Sequence, residues 1–127
     1  MTKGERIMSD TLREMTQMVQ NFCEERDWDQ YHTPKELAIG LVTEASELLD
    51  LFRFQTDAQI EAQLLRPDQR TAIEDEVADV LFFLLRMAQR NNFNLRDVLQ
   101  RKIQKNALKY PVERARSSNA KYTQLKD

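Results

Sequence analysis

The chain has 127 residues, 41% hydrophobic and 31% charged, with 19 basic and 21 acidic side chains giving a formal charge of −2. That length makes one domain able to bury a core without covalent staples, and the charge balance excludes a nucleic-acid binder that works through a strong basic field. Two Gly and three Pro leave few turns, so the composition leans all-α. Residues 1–9 read as a flexible leader, 10–111 as a helical domain and 112–127 as a tail. No apolar run is long enough for a membrane span or placed as a signal peptide; a cytoplasmic protein with no membrane partner is the expectation.

Helix one is predicted over 10–27, where Leu12, Met15, Val19, Phe22 and Cys23 recur at three- and four-residue spacing. This stripe is packing. Cys23, the single cysteine, excludes an intrachain disulfide framework and a cysteine-only zinc site, and is expected to be buried rather than reactive. The connection 23–34, CEERDWDQYHTP, carries Trp28, Tyr31 and His32. Aromatics in such a loop either lid a core or line a ligand cleft.

Helix two opens on a capping box, with Thr33 as N-cap, Pro34 at the first position and Glu36 at the third. Leu37, Leu41, Leu48 and Leu51 line one side, yet Glu44 falls inside that stripe and Glu47 on its shoulder. An ordinary amphipathic helix has leucine or alanine there. The polar stretch 54–69, with Ile60, Leu64 and Leu65 and a stop at Pro67, holds a short helix or turn that brings helices two and three together as antiparallel neighbours.

Helix three is predicted over 69–91. Ile73, Val77, Val80, Leu81, Leu84 and Ala88 form its main stripe, and Phe82, Phe83, Leu85 and Met87 make it apolar nearly all round. Such a helix is central, or commits one side to a subunit interface. Glu76 and Asp79 interrupt it, whereas Glu74 and Asp75 fit the polar first turn favoured by the helix dipole. Helix four starts at the Asn94 cap with Asp97 three residues on, packs through Leu95, Val98, Leu99 and Ile103, and ends at Pro111. Lys102, Asn106, Lys109 and Tyr110 run beside that face. The region from Arg96 to Lys126 is locally basic, which suits either solvated surface or a phosphate-bearing ligand. Residues 112–127 have too few large apolar side chains for a core and read as a frayed or partner-dependent tail.

Residues three apart share a helix face, so Glu44 with Glu47 and Glu76 with Asp79 are two close carboxylate pairs in the two most apolar segments. Inward carboxylates are costly unless protonated, hydrogen-bonded or neutralised. Arg53, Arg86 or Lys102 could pair with them. A hard divalent cation neutralises them more directly, and oxygen-only ligation favours Mg²⁺, with Mn²⁺ as a substitute, over zinc. A redox di-iron centre would need Glu-x-x-His pairs from two helices, and the single histidine is His32. There is no Gly-rich phosphate loop, Rossmann glycine pattern or serine or cysteine nucleophile motif. A phosphate ligand would be held by metal and side chains.

With Glu44-Ala-Ser-Glu47 followed one helix later by Glu76-Val-Ala-Asp79, the sequence resembles the MazG-like all-α nucleoside triphosphate pyrophosphohydrolases, most closely their dCTP pyrophosphatase branch. The flanks WDQYHTPKELAIGLVTEASELLDLFRF (28–54), EDEVADVLFFLLRMA (74–88) and KIQKNALKYP (102–111) agree, and the resemblance spans about 20–111. It implies a four-helix-type bundle that self-associates as a dimer or tetramer. It also implies Mg²⁺-dependent cleavage between the α- and β-phosphates of a nucleoside triphosphate, here dCTP or a modified dCTP, to the monophosphate and pyrophosphate. Glu44, Glu47, Glu76 and Asp79 would then be metal ligands and catalytic residues. Lys102 and Asn106 would contact phosphate or sugar, Tyr110 would border the site, and Trp28 and His32 would enclose the nucleotide. Phe54 stands where the branch has a base-stacking tryptophan, which leaves base preference open. A related helical pyrophosphohydrolase acting on dUTP or phosphoribosyl-ATP, or a helical interaction module without activity, are the alternatives.

Overall fold

A computed structural model describes residues 3–125. It is built of α-helices and single 3-10 turns, with no strand among the described residues, as the composition implies. Helix α1 spans Lys3–Glu25. It therefore starts earlier than the predicted 10–27, and residues 3–9, expected as a loose leader, are helical. It also stops earlier, for a local reason. Asp27 adopts a left-handed conformation (φ 55°), and the Trp28 and Asp27 amides donate back to the Cys23 and Glu24 carbonyls at 3.0 Å each. That pattern is a Schellman closure, usually made with glycine. A 3-10 turn, Asp29–Tyr31, follows.

Helix α2 spans Pro34–Phe52, and its Thr33 hydroxyl accepts from the Glu36 amide at 3.3 Å as the capping signature requires. The polar link folds into helix α3, Asp57–Leu64, behind a full capping box. Thr56 Oγ1 accepts from the Gln59 amide (3.2 Å), and Gln59 Oε1 accepts from the Thr56 amide (2.9 Å). Helix α4 spans Pro67–Asn91. Pro67 is thus a start rather than a stop. Its missing N–H is no loss in a first turn, where that group has no intrahelical acceptor.

The first compact unit ends at Asn92, which closes α4 in the left-handed region (φ 57°). Within it α4 is the central helix, packed against α1, α2 and α3. Val19, Cys23, Leu37, Ile73, Leu85 and Ala88 are its buried apolar residues. Helices α2 and α4 approach closely where Gly40 meets Phe83. A Cβ on Gly40 would lie 2.6 Å from Phe83 Cζ, well inside van der Waals contact.

The second unit, from Phe93, contains helix α5 (Leu95–Lys109), the single turn α6 (Val112–Ala115) and a 3-10 turn at Tyr122–Gln124. Asn94 caps α5 by accepting from the Asp97 amide at 3.1 Å. Leu99 and Ile103, expected in its packing face, are exposed. The segment expected to fray is turned back on α5. Tyr122 packs edge-on against Tyr110 (6.2 Å between centroids), with the Lys109 ammonium 4.9 Å from its ring centre.

Leu37 is fully buried, so Leu37→Ala should lower the unfolding free energy by about 2–5 kcal/mol. Gly40→Ala, which adds about 1 kcal/mol in an unobstructed helix, should fail to give that gain because Phe83 fills the space. Urea melts of both variants check this.

Candidate active site

Gly40 meets Phe83 near one end of the α2–α4 contact, and Glu44 and Glu47 meet Glu76 further along. As α2 advances, α4 runs back, so the two helices are antiparallel. This register sets the two acid motifs opposite each other. Glu44, Glu47 and Glu76 each offer a carboxylate oxygen, all within 4.8 Å of one another. Glu44 and Glu76 are half-buried and Glu47 is exposed. Asp79 is outside this closest group, but its charge acts on both Glu44 and Glu76.

The Oε2 atoms of Glu44 and Glu76 are buried without a hydrogen-bond donor. The arginines that might have neutralised the acids are used elsewhere: Arg53 reaches Asp50 (4.0 Å), and Arg86 pairs with Asp29. Burial first, then contact with Glu47 and the charges of Glu47, Asp79 and Glu76, pushes the Glu44 carboxyl up to about 7. Glu76 is raised by burial and by the Glu47 and Asp79 charges. Only a shared proton or a cation satisfies such a group of acceptors. The donor set is all carboxylate oxygen, which fits a hard divalent ion such as Mg²⁺.

From the Gly40–Phe83 contact a row of aromatic rings leads to the loop after α1. Phe83, over Gly40, packs edge-on against Phe82 (5.6 Å between centroids), Phe82 against Phe22 (5.9 Å), Phe22 against Trp28 (5.6 Å) and Trp28 against His32 (5.9 Å). Trp28 and His32, expected near a nucleotide, are thus linked through packed rings to Phe83 at the α2–α4 contact. Phe22 reads in the sequence as packing, and Phe82 and Phe83 as part of a central helix or a subunit interface. Their signal was the surplus of aromatics on an α4 already apolar nearly all round.

Phe54, just past α2, is 92% exposed and left-handed (φ 65°), a conformation unfavourable for a bulky side chain. The Arg53 guanidinium lies 4.7 Å from its ring centre. Lys102, Asn106 and Tyr110 lie on α5 and its C-cap in the second unit, Lys102 exposed and Asn106 half-buried. The sequence reading missed Asp29, which accepts from the buried Arg86 across 57 residues of chain. Arg86 itself was legible as a lone cation in the most apolar segment.

Known proteins resemble this chain in sequence and in fold. A model of the MazG-like family matches residues 39–125. Human dCTP pyrophosphatase 1 is 38% identical over 115 residues, and the rat protein of that name 37%, each match covering 91% of this chain and 68% of the relative. The crystal structure of a pyrophosphatase from Archaeoglobus fulgidus superposes with a TM-score of 0.71 at 34% identity, covering 80% of this chain and 93% of that one. The chain belongs to the MazG-like family.

Because the Glu44 carboxyl is raised above its ordinary 4.5, the folded state binds its proton more tightly than the unfolded chain does. Its stabilising contribution is complete below about 4.5 and lost as pH rises through about 7. Metal-free protein should therefore show a Tm that falls across this window. Glu44→Gln should flatten the fall, and millimolar Mg²⁺ should reverse it in the unmodified protein. Thermal melts in EDTA and in Mg²⁺ measure all three effects.

Proposed function

We propose that this nucleotide pyrophosphohydrolase, the enzyme class its relatives define, cleaves the α–β phosphate bond of dCTP or a modified dCTP, yielding the monophosphate and pyrophosphate with Mg²⁺. The observation that carries the reading is the pair of buried, unpartnered oxygens of Glu44 and Glu76 on facing helices. A purely structural carboxylate on these stripes would be paired or replaced by leucine. Here removing the acids should cost the fold little and the chemistry everything.

Glu44, Glu47, Glu76 and Asp79 would hold the cation. When bound, a hard divalent ion supplies Lewis-acid neutralisation of the polyphosphate charge and lowers the pKa of water. The chain's own residues supply the rest. Helices α2 and α4 fix the carboxylates before substrate arrives, so little reorganisation accompanies binding. The aromatic row from Phe83 to Trp28 gives an apolar lane for the nucleoside, and exposed Phe54 offers a further stacking face. The reading assigns phosphate and sugar contacts to Lys102 and Asn106, with Tyr110 at the border.

A panel of dCTP, modified dCTP, dUTP, other dNTPs and phosphoribosyl-ATP, scored for pyrophosphate with and without Mg²⁺, tests substrate, bond and metal together. Pyrophosphate from dCTP only in Mg²⁺ is expected; orthophosphate instead would overturn the assigned bond. Glu44→Ala and Glu76→Ala should each lower turnover by at least about a thousandfold, on the scale of losing a principal electrostatic group. Their far-UV circular dichroism should match the unmodified protein. Turnover retained in both would remove the metal site from the reaction.

A further inference from the structure

Arg86 is the only fully buried charged side chain among the described residues. It is neither a partner of the Glu44, Glu47 and Glu76 carboxylates nor a surface cation, and each nitrogen of its guanidinium donates to an acceptor. Nε donates to His32 Nδ1 at 2.9 Å, Nη1 donates to Gln89 Oε1 at 2.6 Å, and Nη2 donates to Asp29 Oδ1. Arg90 supports the same loop, with Nη1 3.6 Å from Asp29 Oδ2 and Nη2 donating to the Asp29 carbonyl at 3.3 Å. A network this complete offsets the cost of burying the cation.

The consequence for His32 follows from donor and acceptor inventory. A guanidinium never gives up its proton in a protein, so Arg86 Nε always arrives as N–H. The nitrogen it meets must present a lone pair. His32 Nδ1 is therefore an acceptor, and the imidazole proton resides on Nε2. A histidine oriented by a carboxylate has the opposite polarity: Nδ1–H is engaged and Nε2 is left as a base. The charged groups facing the ring are Arg86 and Arg90 from α4 and Asp29 from the 3-10 turn. Burial and the two arginines hold the His32 pKa below its ordinary value, against the smaller opposing effect of Asp29. Trp28 packs edge-on against the ring and restricts its tilt.

We propose that Arg86, held by Asp29, is a positioning residue that locks His32 as a neutral Nε2–H donor, so that His32 reads a hydrogen-bond acceptor on the nucleoside and does not serve as a general base. This rests on the reading above in placing the nucleoside at the Trp28–His32 end of the aromatic row. It adds the polarity of the contact and the residue that sets it. The ligand group implied is a carbonyl oxygen or unprotonated ring nitrogen of the base, or a sugar oxygen.

His32 is the single histidine, so its long-range ¹⁵N spectrum in the intact protein is free of overlap. The expected spectrum is the Nε2–H tautomer, still neutral just below the ordinary histidine pKa of about 6.5, and perturbed when dCTP is added in EDTA. In Arg86→Met the tautomers should mix and titration return toward the ordinary value. KM for dCTP should rise about tenfold, the size of one lost neutral hydrogen bond, with kcat within about threefold. His32→Gln provides a test that leaves Arg86 in place. Its amide oxygen can accept from Arg86 while its amide nitrogen donates outward, so KM should stay well below that of His32→Ala. An Nδ1–H tautomer in the unmodified protein would overturn the proposal. So would a His32→Gln protein no better than His32→Ala, or an unmoved KM in an Arg86→Met protein whose tautomer has been released. Failure of the functional reading has a different signature: no pyrophosphate from any nucleotide, whatever the imidazole spectrum. In that case a dCTP-induced change at Nε2–H upholds the donor role, and its absence defeats it.

Discussion

The structure depends most on the mutual repulsion of carboxylates that the α2–α4 contact forces together. Leu37, Gly40 and Phe83 bring the helices close, and the same antiparallel register brings Glu44 and Glu47 to Glu76. The acids cannot swing away without giving up that contact, because their positions are fixed by two rigid helices. Nor can they relax by ordinary pairing. The Oε2 atoms of Glu44 and Glu76 are buried and have no hydrogen-bond partner. This is stored electrostatic strain, a cost that persists where a bound ligand relieves it. The fold thus sets these carboxylates together before any ligand arrives.

The acids were legible because helix periodicity is a strict reporter. Glu44 falls in a leucine stripe where an ordinary amphipathic helix has leucine or alanine, and its half-buried setting follows from that position. The antiparallel pairing of the two acid helices was legible too, from the short polar link. The helix boundaries were less so. The Thr56–Gln59 capping box was present in the text of the polar link, but that stretch has too few apolar residues to announce a helix by periodicity. Pro67 was ambiguous because one residue type both ends helices and begins them. The Tyr122–Tyr110 contact and the Arg86–Asp29 pair depend on chain reversals, and no local pattern encodes which distant residue will arrive. A buried arginine is readable as an anomaly. Its partner is not.

Family membership bears unequally on the parts of the site. The matched region, 39–125, includes both acid motifs but begins after Trp28 and His32. The proposed nucleoside end is built of this chain's own ring contacts. There the rings of Phe83, Phe82, Phe22 and Trp28 form a continuous edge-to-face row, an arrangement suited to aromatic quadrupoles and tolerant of any flat base. Such a lane supplies affinity without much choice among bases. Selectivity has to come from polar groups with fixed donor or acceptor character, because leaving one of them unpaired costs far more than a poorly filled apolar slot.

The two ends of this proposed site then follow opposite electrostatic logics. At the carboxylate end, uncompensated negative charge accumulates until a cation must enter, and the polyphosphate follows the cation. At the His32 end the buried cation has its counter-charge within the protein, in the Asp29 carboxylate that Arg86 shares with Arg90. Arg86 is neutralised by Asp29, whose carboxyl is held below its ordinary range mainly by the hydrogen bond it accepts from Arg86. Burial, then the Arg86 and Arg90 charges, hold the imidazole pKa below its ordinary value, and a permanent donor occupies the Nδ1 lone pair. A histidinium there would attract the triphosphate to the wrong end of the lane, competing with the metal for the phosphates. A neutral N–H has no such pull and still discriminates between acceptor and donor on the nucleoside. The buried arginine can therefore orient the histidine without offering its own charge to the substrate, which keeps charge-driven binding at the carboxylates where the bond is to be broken.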